Sequence, residues 1–241
     1  MDKNHVNYSS IKELYSSADL VLGVSNSFCN HLTKTFDIET KCVGNVVDTS
    51  AFTYENKKVE KEFVFVTASR LVPGKSINVL IEAFSRISIS NNNVYLKIIG
   101  YGPEKENLIK LVSTKKIEGK VEFCGTLTKN EINEHYKTAH CFVLPSKSET
   151  FGVVYIEAMT SGLPIIATKC GGPEDFINEK NGIMVEVDNV DELTIAMQNM
   201  ILNYESYNYE LISKQAIEKY SPETISKQLI ELYSDLKYNK V

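Results

Sequence analysis

The sequence predicts an α/β protein with a parallel sheet and helices on both of its faces. The short, continuously apolar run Phe63–Ala68 and similar, largely apolar runs such as Val94–Ile99 alternate along the chain with longer amphipathic segments. A strand of a parallel sheet is buried on both faces, and it is therefore apolar along its whole length. Strands that alternate with helices in this way form βαβ units, which build a parallel sheet covered on two sides.

The composition is that of an ordinary globular protein, and it excludes several functional classes. The chain has 241 residues, of which 43% are apolar and 24% charged, enough for a substantial core. A net charge of −5 argues against a nucleic-acid partner, which needs concentrated positive charge. No apolar run approaches the roughly 18 residues of a membrane span, and the polar start of the chain lacks the plan of a signal peptide. We therefore expect a cytoplasmic protein.

The five cysteines predict neither a disulfide framework nor a zinc site. Their number is odd, and no two of them form a Cys-x-x-Cys pair. We expect buried free thiols at all five positions, which are Cys29, Cys42, Cys124, Cys141 and Cys170.

The first 45 residues form a separate piece. A predicted helix, Ile11–Ser17, precedes a strand, Asp19–Val24, and a second helix, Ser27–Phe36, precedes a short strand, Lys41–Val43. Two such units cannot close a core of their own. We therefore interpret residues 1–45 as the tail of a domain whose body is absent.

The rest of the chain contains one complete α/β unit. The stretch Asn45–Asn56 is polar and irregular, and we place a linker at residues 46–61. Residues 62–220 carry six predicted strands with their helices, and residues 221–241 hold a last helix.

The strands of this unit are short apolar runs, and its helices show apolar residues at three- and four-residue steps, as from Ile77 to Ile87. The predicted strands are Phe63–Ala68, Val94–Ile99, Val121–Cys124, His140–Leu144, Pro164–Ala167 and Gly182–Val185. The predicted helices after the first are Glu104–Val112, Asn130–Thr138, Val153–Ser161, Val190–Tyr204, Tyr209–Tyr220 and Pro222–Leu236.

Ligands of parallel sheets bind outside the carboxyl ends of the strands, so the loops after the strands are the places to search. The loop Ser69–Ser76 holds Arg70 and Lys75 ahead of a helix, which favours an anion site. Only two of the 26 basic residues are arginine, so Arg70 is not part of a general bias. Two alternatives are a solvated basic turn and a P-loop, although Ser69 stands where a P-loop has its first glycine.

The loop after the fourth strand of this unit carries the strongest signal. Gly152 stands at the start of a helix, where its amide and that of Val153 have no intrahelical partner and favour a phosphate. Glu149 precedes the helix and Glu157 lies within it, eight residues later. A carboxylate on an apolar helix needs a partner, and pairs of sugar hydroxyls are suitable ones. The alternative is a favourable helix-end charge at Glu149 and an exposed face at Glu157.

A glycine pair, Gly171-Gly172, follows the fifth strand of the unit and precedes Pro173. Adjacent glycines let the backbone approach a ligand closely, although a tight turn explains them equally well.

In combination, these motifs resemble the family-4 glycosyltransferases. The similarity rests on Ser69-Arg70-Leu71 with Lys75, on Gly100-x-Gly102-Pro103, on the E-x7-E of Glu149 and Glu157, and on Gly171-Gly172-Pro173-Glu174. Upstream, Ala18–Ser25 and Asn45-Val46-Val47-Asp48 resemble the family's late amino-terminal strand and its interdomain segment. Together the blocks run in the family's order from about Ser16 to Tyr233.

The resemblance implies a GT-B fold, in which two Rossmann-like domains face each other across a cleft and the carboxyl-terminal one holds a nucleotide-sugar donor. It assigns Arg70 and Lys75 to the donor diphosphate, Glu149 to the transferred sugar and Glu157 to the ribose hydroxyls. Further donor contacts fall on Ser69, Gly100, Gly102, Gly125, Thr126, Leu127, Phe151, Gly152 and Val153. Of these, Gly125-Thr126-Leu127 line the base through their backbone, and Gly100 and Gly102 leave room beside the nucleotide.

The implied activity is transfer of a sugar to a glycan or lipid-linked glycan, with retention of configuration, in surface polysaccharide biosynthesis. No Asp-x-Asp occurs in the sequence, so we expect neither a metal nor another cofactor. We expect UDP as the nucleotide, on frequency alone, and a cytoplasmic enzyme at the inner face of the membrane.

Most of the amino-terminal domain of this family, which holds the acceptor, has no counterpart here. Residues 1–45 would be its remnant, residues 46–61 the interdomain linker, and residues 221–241 the helix that crosses back to it. Either the chain is truncated or a partner chain supplies that half. A donor-binding subunit without activity of its own therefore stays an alternative.

Overall fold

The computed structural model describes residues 7–55 and 62–238 of the chain. Its amino-terminal part contains two helices and two short strands that pair in parallel. These elements are α1 (Tyr8–Ser16), β1 (Leu22–Gly23), α2 (Asn26–Phe36) and β2 (Lys41–Cys42).

Strand β1 is much shorter than the predicted Asp19–Val24. Its pairing is limited to Leu22 with Lys41 and Gly23 with Cys42, because β2 offers only two residues to pair with. The prediction of buried thiols is confirmed for Cys29 and Cys141 and wrong for the other three, since Cys42 is exposed on this short strand and Cys124 and Cys170 are only half-buried.

Six parallel strands form the main sheet, as the alternating pattern predicts. They are β3 (Phe63–Ala68), β4 (Val94–Ile99), β5 (Val121–Gly125), β6 (Cys141–Leu144), β7 (Ile165–Thr168) and β8 (Gly182–Val185). Strands β3, β4 and β8 have the predicted bounds, and the other three differ by one residue at one or both ends.

Seven further helices cover the two faces of this sheet. They are α3 (Ile77–Ser90), α4 (Lys105–Thr114), α5 (Lys129–Thr138), α6 (Val153–Thr160), α7 (Val190–Asn203), α8 (Tyr209–Tyr220) and α9 (Pro222–Tyr238). Helix α3 packs against α4 and α7, while α6 packs against α8.

The order of the strands across the sheet is β5-β4-β3-β6-β7-β8. The chain therefore moves outward in one direction from β3 and in the opposite direction from β6. In a doubly wound sheet, the loops that follow the two strands at this switch point leave a crevice between them, and ligands bind there. The fold thus directs attention to the loops that follow Ala68 and Leu144.

The core lies on both sides of β3 and β6. Phe65, Val66, Phe142 and Val143 are completely buried. Phe142 contacts two further aromatic rings edge-on, those of Tyr136 on α5 and Tyr155 on α6. These contacts fix both helices to the centre of the sheet.

The predicted linker packs against the main unit through some of its described residues. Val47 and Phe52 are 1% exposed, and the Phe52 ring stacks on Tyr136 with centroids 5.8 Å apart. The only regular structure in its described part is a 3₁₀ turn, Thr49–Ala51. Residues 56–61 of the predicted linker lie outside the described residues.

Helix α9 joins the main unit to the amino-terminal part. Near its start, Ile225 is buried and lies close to Gly44. Near its end, Leu236 lines a cleft together with Tyr15 and Asp19. Residues 239–241, which belong to the predicted crossing helix, lie outside the described range. Within that range, no helix has the combination of length and apolar character needed to cross a membrane.

Candidate functional site

The loops after β3 and β6 face each other at the switch point of the sheet. The backbone N–H of Lys147 donates to the carbonyl oxygen of Gly74 at 2.8 Å, which links the two loops directly. Their side chains also meet, because Lys75 Nζ lies 2.6 Å from Glu149 Oε1. Two residues predicted independently, 74 positions apart, are therefore an ion pair in this crevice.

This ion pair is partly shielded from water. The side chain of Glu149 is 11% exposed and that of Lys75 is 26% exposed. The hydroxyl of Ser146, a completely buried residue, donates to the same Oε1 of Glu149 at 2.7 Å. One carboxylate oxygen thus accepts two hydrogen bonds. The sequence analysis did not single out Ser146, whose only signal is its place three residues before Glu149.

The backbone of Glu149 is held by the glycine pair after β7. Glu149 N–H donates to the carbonyl of Cys170 at 3.1 Å, and Gly172 N–H donates to the carbonyl of Glu149 at 2.8 Å. A Cβ at position 172 would lie 2.4 Å from the Cα of Phe151, and Gly171 has a φ of +115°. The glycine pair therefore serves a close approach between two loops, which fixes the position of Glu149.

Ser69 and Arg70 follow the end of β3, where the backbone N–H of Ser69 donates to the carbonyl of Ile99 at 3.0 Å. Arg70 is exposed, and its guanidinium has no hydrogen bond or ion pair within the described residues. The hydroxyl of Ser69 is buried, and no described residue hydrogen-bonds to it. A buried hydroxyl and a cation that both lack protein partners are groups that a ligand or solvent has to satisfy.

Helix α6 begins at the edge of this crevice. Gly152 precedes it with a φ of +96°, and a Cβ there would lie 2.5 Å from the Tyr155 ring, so only glycine fits. The N–H groups of Val153 and Val154, in the first turn, have no backbone acceptor among the described residues. Together with the positive end of the helix dipole, they favour an anion. Phe151, just before the turn, is buried against Phe176 and Tyr220.

Glu157 lies farther along α6 and is half-buried. Burial raises the pKa of its carboxyl group, while the ammonium of Lys129 opposes that shift. Lys129 Nζ in turn lies 3.2 Å from Asp48 of the linker, and the Asp48 carboxylate adds to the rise of the Glu157 pKa. Glu157 is therefore a carboxylate in a poorly solvated place, where hydroxyl donors would stabilise its charge.

Close packing between two loops explains why glycine stands at positions 100 and 102, whereas the sequence analysis expected these glycines to leave room beside a nucleotide. A Cβ on Gly100 would lie 1.8 Å from the Ser69 carbonyl oxygen, and one on Gly102 would lie 2.3 Å from that of Leu71. Both glycines therefore let the loop after β4 pack against the loop that carries Arg70. Room beside a nucleotide is not needed to explain them.

The loop after β5 adjoins these glycines. Gly100 N–H donates to the carbonyl of Gly125 at 2.7 Å. Gly125 has a φ of +74°, and no atom lies within 4 Å of the place where its Cβ would be. Thr126 is exposed and Leu127 half-buried, so this loop borders open space, as a backbone surface for a ligand must.

The amino-terminal part reaches the same region. Ser25 Oγ, between β1 and α2, donates to the carbonyl of Thr150 at 2.6 Å. The next residue, Asn26, donates its backbone N–H to Asp175 Oδ2 at 2.6 Å. The start of α2 is thus fixed against the loop that carries Glu149, a contact that the sequence analysis missed.

A separate cavity of about 720 Å³ lies at the opposite end of the sheet. Its lining includes Val64, Tyr95 and Val121, close to the amino ends of β3, β4 and β5. Parallel sheets bind their ligands at the other end, and none of the predicted site residues lines this cavity. We therefore assign it no ligand.

A search of residues 7–55 and 62–238 finds no group of three or more His, Cys, Asp or Glu side chains placed to hold a metal ion. Reaction without a metal stays a prediction from the sequence.

The predicted residues thus come from the loops after β3, β4, β5 and β6 and from helix α6. Arg70, Lys75 and the first turn of α6 provide positive charge and free N–H donors. Glu149 and Glu157 provide acceptors for hydroxyl groups. The arrangement is suited to a ligand that carries phosphates and hydroxyls together.

Comparison with known proteins supports the same interpretation. The family model Glycosyl transferases group 1 matches residues 49–219. Sulfoquinovosyl transferase SQD2 of Arabidopsis thaliana is 32% identical over 168 residues, which cover 68% of this chain and 31% of that protein. A GDP-mannose-dependent alpha-(1-6)-phosphatidylinositol monomannoside mannosyltransferase of Mycolicibacterium smegmatis is 32% identical over 146 residues, 57% of this chain and 38% of that protein.

Among solved structures, Staphylococcus aureus TarM in complex with fondaparinux, alpha-GlcNAc-glycerol and UDP matches with a TM-score of 0.81 at 26% identity. The match covers 93% of this chain and 46% of that one. The chain therefore spans less than half the length of these relatives. Since the family model matches more than half of its residues, the chain belongs to the group 1 glycosyl transferases, and its sheet is of the GT-B type.

Proposed function

We propose that this chain binds the nucleotide-sugar donor of a glycosyltransferase that passes a sugar to a glycan or lipid-linked glycan. The observation that carries the proposal is the meeting of Lys75 and Glu149 at the switch point, beside the start of α6. A cation, free N–H donors and a carboxylate there match the diphosphate and the sugar of one donor molecule.

The diphosphate is assigned to Arg70, Lys75 and the first turn of α6, supported by residues Phe151, Gly152 and Val153. Arg70 needs no rearrangement to bind, because its guanidinium has no partner in the described residues. Ser69 adds a hydroxyl that lacks a partner. Lys75 would turn from Glu149 to a phosphate oxygen, and both positions keep its charge compensated.

The sugar hydroxyls are assigned to Glu149 and the ribose hydroxyls to Glu157. A half-buried carboxylate that is short of donors gains more from a pair of hydroxyls than an exposed one does. The base would lie along the backbone of Gly125, Thr126 and Leu127, where the structure leaves open space.

Transfer breaks the bond between the anomeric carbon and the diphosphate oxygen, forms a bond between that carbon and an acceptor hydroxyl oxygen, and releases the proton of that hydroxyl. The leaving diphosphate gains a negative charge, which Arg70, Lys75 and the α6 amides are placed to stabilise. A single preorganised donor of this kind is worth on the order of 10²–10³ in rate. In this proposal these groups do the work that a metal ion does elsewhere, and the configuration of the sugar is retained.

The nucleotide is proposed to be UDP. The TarM structure contains UDP, whereas the mycobacterial relative depends on GDP-mannose, so the relatives do not agree on the base. That relative acts on a phosphatidylinositol monomannoside, which supports a lipid-linked acceptor. The inner face of the membrane as the working place is proposed from the sequence alone.

Acceptor binding is proposed to need residues beyond this chain, since the relatives are more than twice as long as the matched part. Those residues would come from a longer polypeptide or from a partner chain. A donor-binding subunit without activity of its own is the second candidate, because the assigned donor contacts all lie within this chain whereas the acceptor contacts are proposed to lie outside it.

Calorimetric titration of the chain with UDP, GDP, ADP and their glucose or mannose derivatives, with Mg²⁺ or with EDTA, tests donor binding. We expect binding in EDTA, and a loss of about tenfold or more in Arg70→Ala and Glu157→Ala. The matched control is Arg86→Ala, which removes the only other arginine, a residue of α3 that is paired with Asp191 of α7 and has no assigned donor contact.

Strict dependence on Mg²⁺ with a preference for ATP would contradict the proposal and support a P-loop NTPase. Equal losses in Arg70→Ala and Arg86→Ala would contradict the assigned site. Donor hydrolysis or transfer, followed by NMR of the anomeric proton, then separates an enzyme from a silent subunit and tests retention.

A further inference from the structure

The two oxygens of the Glu149 carboxylate have different surroundings. Oε1 accepts from Lys75 Nζ at 2.6 Å and from Ser146 Oγ at 2.7 Å. No hydrogen bond reaches Oε2 from the described residues. The carboxylate is thus held by one oxygen, and the other is available to a ligand.

The two donors to Oε1 differ in how firmly they are placed. Lys75 has a long, flexible side chain that is 26% exposed, and its ammonium can turn to any anion that enters the crevice. Ser146 is completely buried at the end of β6, and Thr168 donates a hydrogen bond to its carbonyl oxygen. The serine hydroxyl therefore cannot follow a ligand, whereas the lysine can.

A diphosphate beside Lys75 carries more negative charge than Glu149 and competes for the ammonium. When Lys75 moves to the phosphate, Ser146 is the remaining side chain that holds Glu149. The backbone of Glu149 stays fixed through Cys170 and Gly172, so the orientation of the carboxylate then depends on one hydroxyl.

We infer that Ser146 is a positioning residue that keeps the Glu149 carboxylate directed at the transferred sugar after the diphosphate has drawn Lys75 away. The inference rests on the proposed function. It predicts that Ser146 contributes to the binding of the sugar part of the donor but not to the binding of the nucleotide part. Ser146 touches neither the base nor the phosphates in this arrangement, since its hydroxyl is used by Glu149.

The test compares the affinity for UDP with the affinity for UDP-glucose, or for GDP and GDP-mannose if guanine is preferred, in Ser146→Ala. We expect the nucleoside diphosphate to bind within twofold of the wild-type value. The nucleotide sugar should bind about 10-fold more weakly, as expected for the loss of a hydrogen bond to a charged group. Ser148→Ala, an exposed serine of the same loop, is the matched control and should change neither affinity.

Ser146→Cys provides a conservative variant, because a thiol is a weak donor of nearly the same shape. It should recover part of the affinity for the nucleotide sugar. Thermal unfolding of each variant shows whether the fold is intact. A collapsed loop is recognised separately, because the variant then also loses affinity for the nucleoside diphosphate.

An equal weakening of both ligands in Ser146→Ala would overturn the inference, because it indicates a structural role. The wild-type affinity for both ligands in Ser146→Ala would also overturn the inference, because Glu149 would then not need the serine hydroxyl. Failure of the wild-type chain to bind any nucleoside diphosphate would instead overturn the proposed function, which the titration of the wild type detects separately.

Discussion

The six-stranded unit and the amino-terminal part of this molecule are stabilised in different ways. The first has one continuous core around β3 and β6, with Phe65 and Phe142 completely buried. The second has a small cluster whose buried members are Val21, Leu32 and Phe36. One region therefore holds itself together, while the other depends on what it packs against.

The sheets of the two regions differ in the same way. Strands β1 and β2 form a two-stranded sheet with two residue pairs, and such a sheet is marginal in water by itself. Its support comes from Ser25 and Asn26, which bond to the main unit, and from α9. We therefore predict that the proposed donor binding and the attachment of the amino-terminal part can be perturbed separately, and substitutions can test them one at a time.

The largest loss of stability is expected for Phe142→Ala, in the core of the main unit. The side chain contacts the Tyr136 and Tyr155 rings, with centroids 5.9 and 5.5 Å away, so its removal leaves a cavity at the centre. We expect a loss of about 3–5 kcal/mol in the free energy of unfolding, measured by urea denaturation. Phe123→Ala, on the half-buried edge strand β5, is the control and should cost clearly less.

A large-to-small substitution in the amino-terminal part should destabilise that part alone. Leu32→Ala removes one of the three buried side chains of the cluster Val21, Leu32 and Phe36, at a cost near the lower end of the range for such changes, about 2 kcal/mol. We expect faster hydrogen exchange in α1 and α2, with β3 and β6 as protected as in the wild type.

Nucleoside diphosphate binding should survive this change, because the assigned contacts lie in the main unit. A uniform rise of hydrogen exchange across both regions after Leu32→Ala would show that they unfold as one unit. It would contradict the difference in stability between the main unit and the amino-terminal part.

Gly23→Ala tests how tightly the amino-terminal part is packed. The new Cβ would lie 2.3 Å from Cys29 Sγ, so either the sulfur or the backbone of β1 has to move. Overpacking of this kind costs about 1–3 kcal/mol, and we expect that loss in the thermal unfolding of this part. The double variant Gly23→Ala/Cys29→Ala removes the sulfur and should recover most of the loss. No recovery would mean that the strain lies in the backbone.

The main sheet was predictable from sequence because its strands are short runs dominated by apolar residues, with β3, β6 and β7 buried almost throughout. Phe63–Ala68, Val94–Ile99 and Gly182–Val185 have the predicted bounds for this reason. The apolar run Asp19–Val24 has the same appearance, yet only Leu22 and Gly23 pair, since the length of a strand also depends on its partner.

The site was predictable as a set of residue types on loops, but its contacts were not. Which loops face each other follows from the order of the strands, and a single sequence does not specify that order. The Lys75–Glu149 ion pair, the support of Glu149 by Ser146 and the close packing of Gly100 on Ser69 therefore appear only in the folded chain.

The smallest effect is expected where the linker meets the main unit, at Glu157. Burial raises the pKa of its carboxyl group above the ordinary value of 4.5, so the folded state holds this proton more tightly than the unfolded state. The folded protein is therefore penalised for ionising Glu157, and the penalty grows as the pH rises from about 4.5 through the raised pKa of the folded state.

Glu157→Gln removes this penalty, so the variant should be more stable than the wild type at pH 7, by up to roughly 0.5 kcal/mol. The difference should vanish below pH 4.5, where Glu157 is protonated in both states. Urea denaturation at pH 4 and pH 7 measures it, with Glu179→Gln, an exposed carboxylate, as the control. If the variant is less stable at pH 7, attraction to Lys129 outweighs the cost of burial. A gain in stability together with weaker nucleotide binding would show that this carboxylate is kept for its ligand and not for the fold.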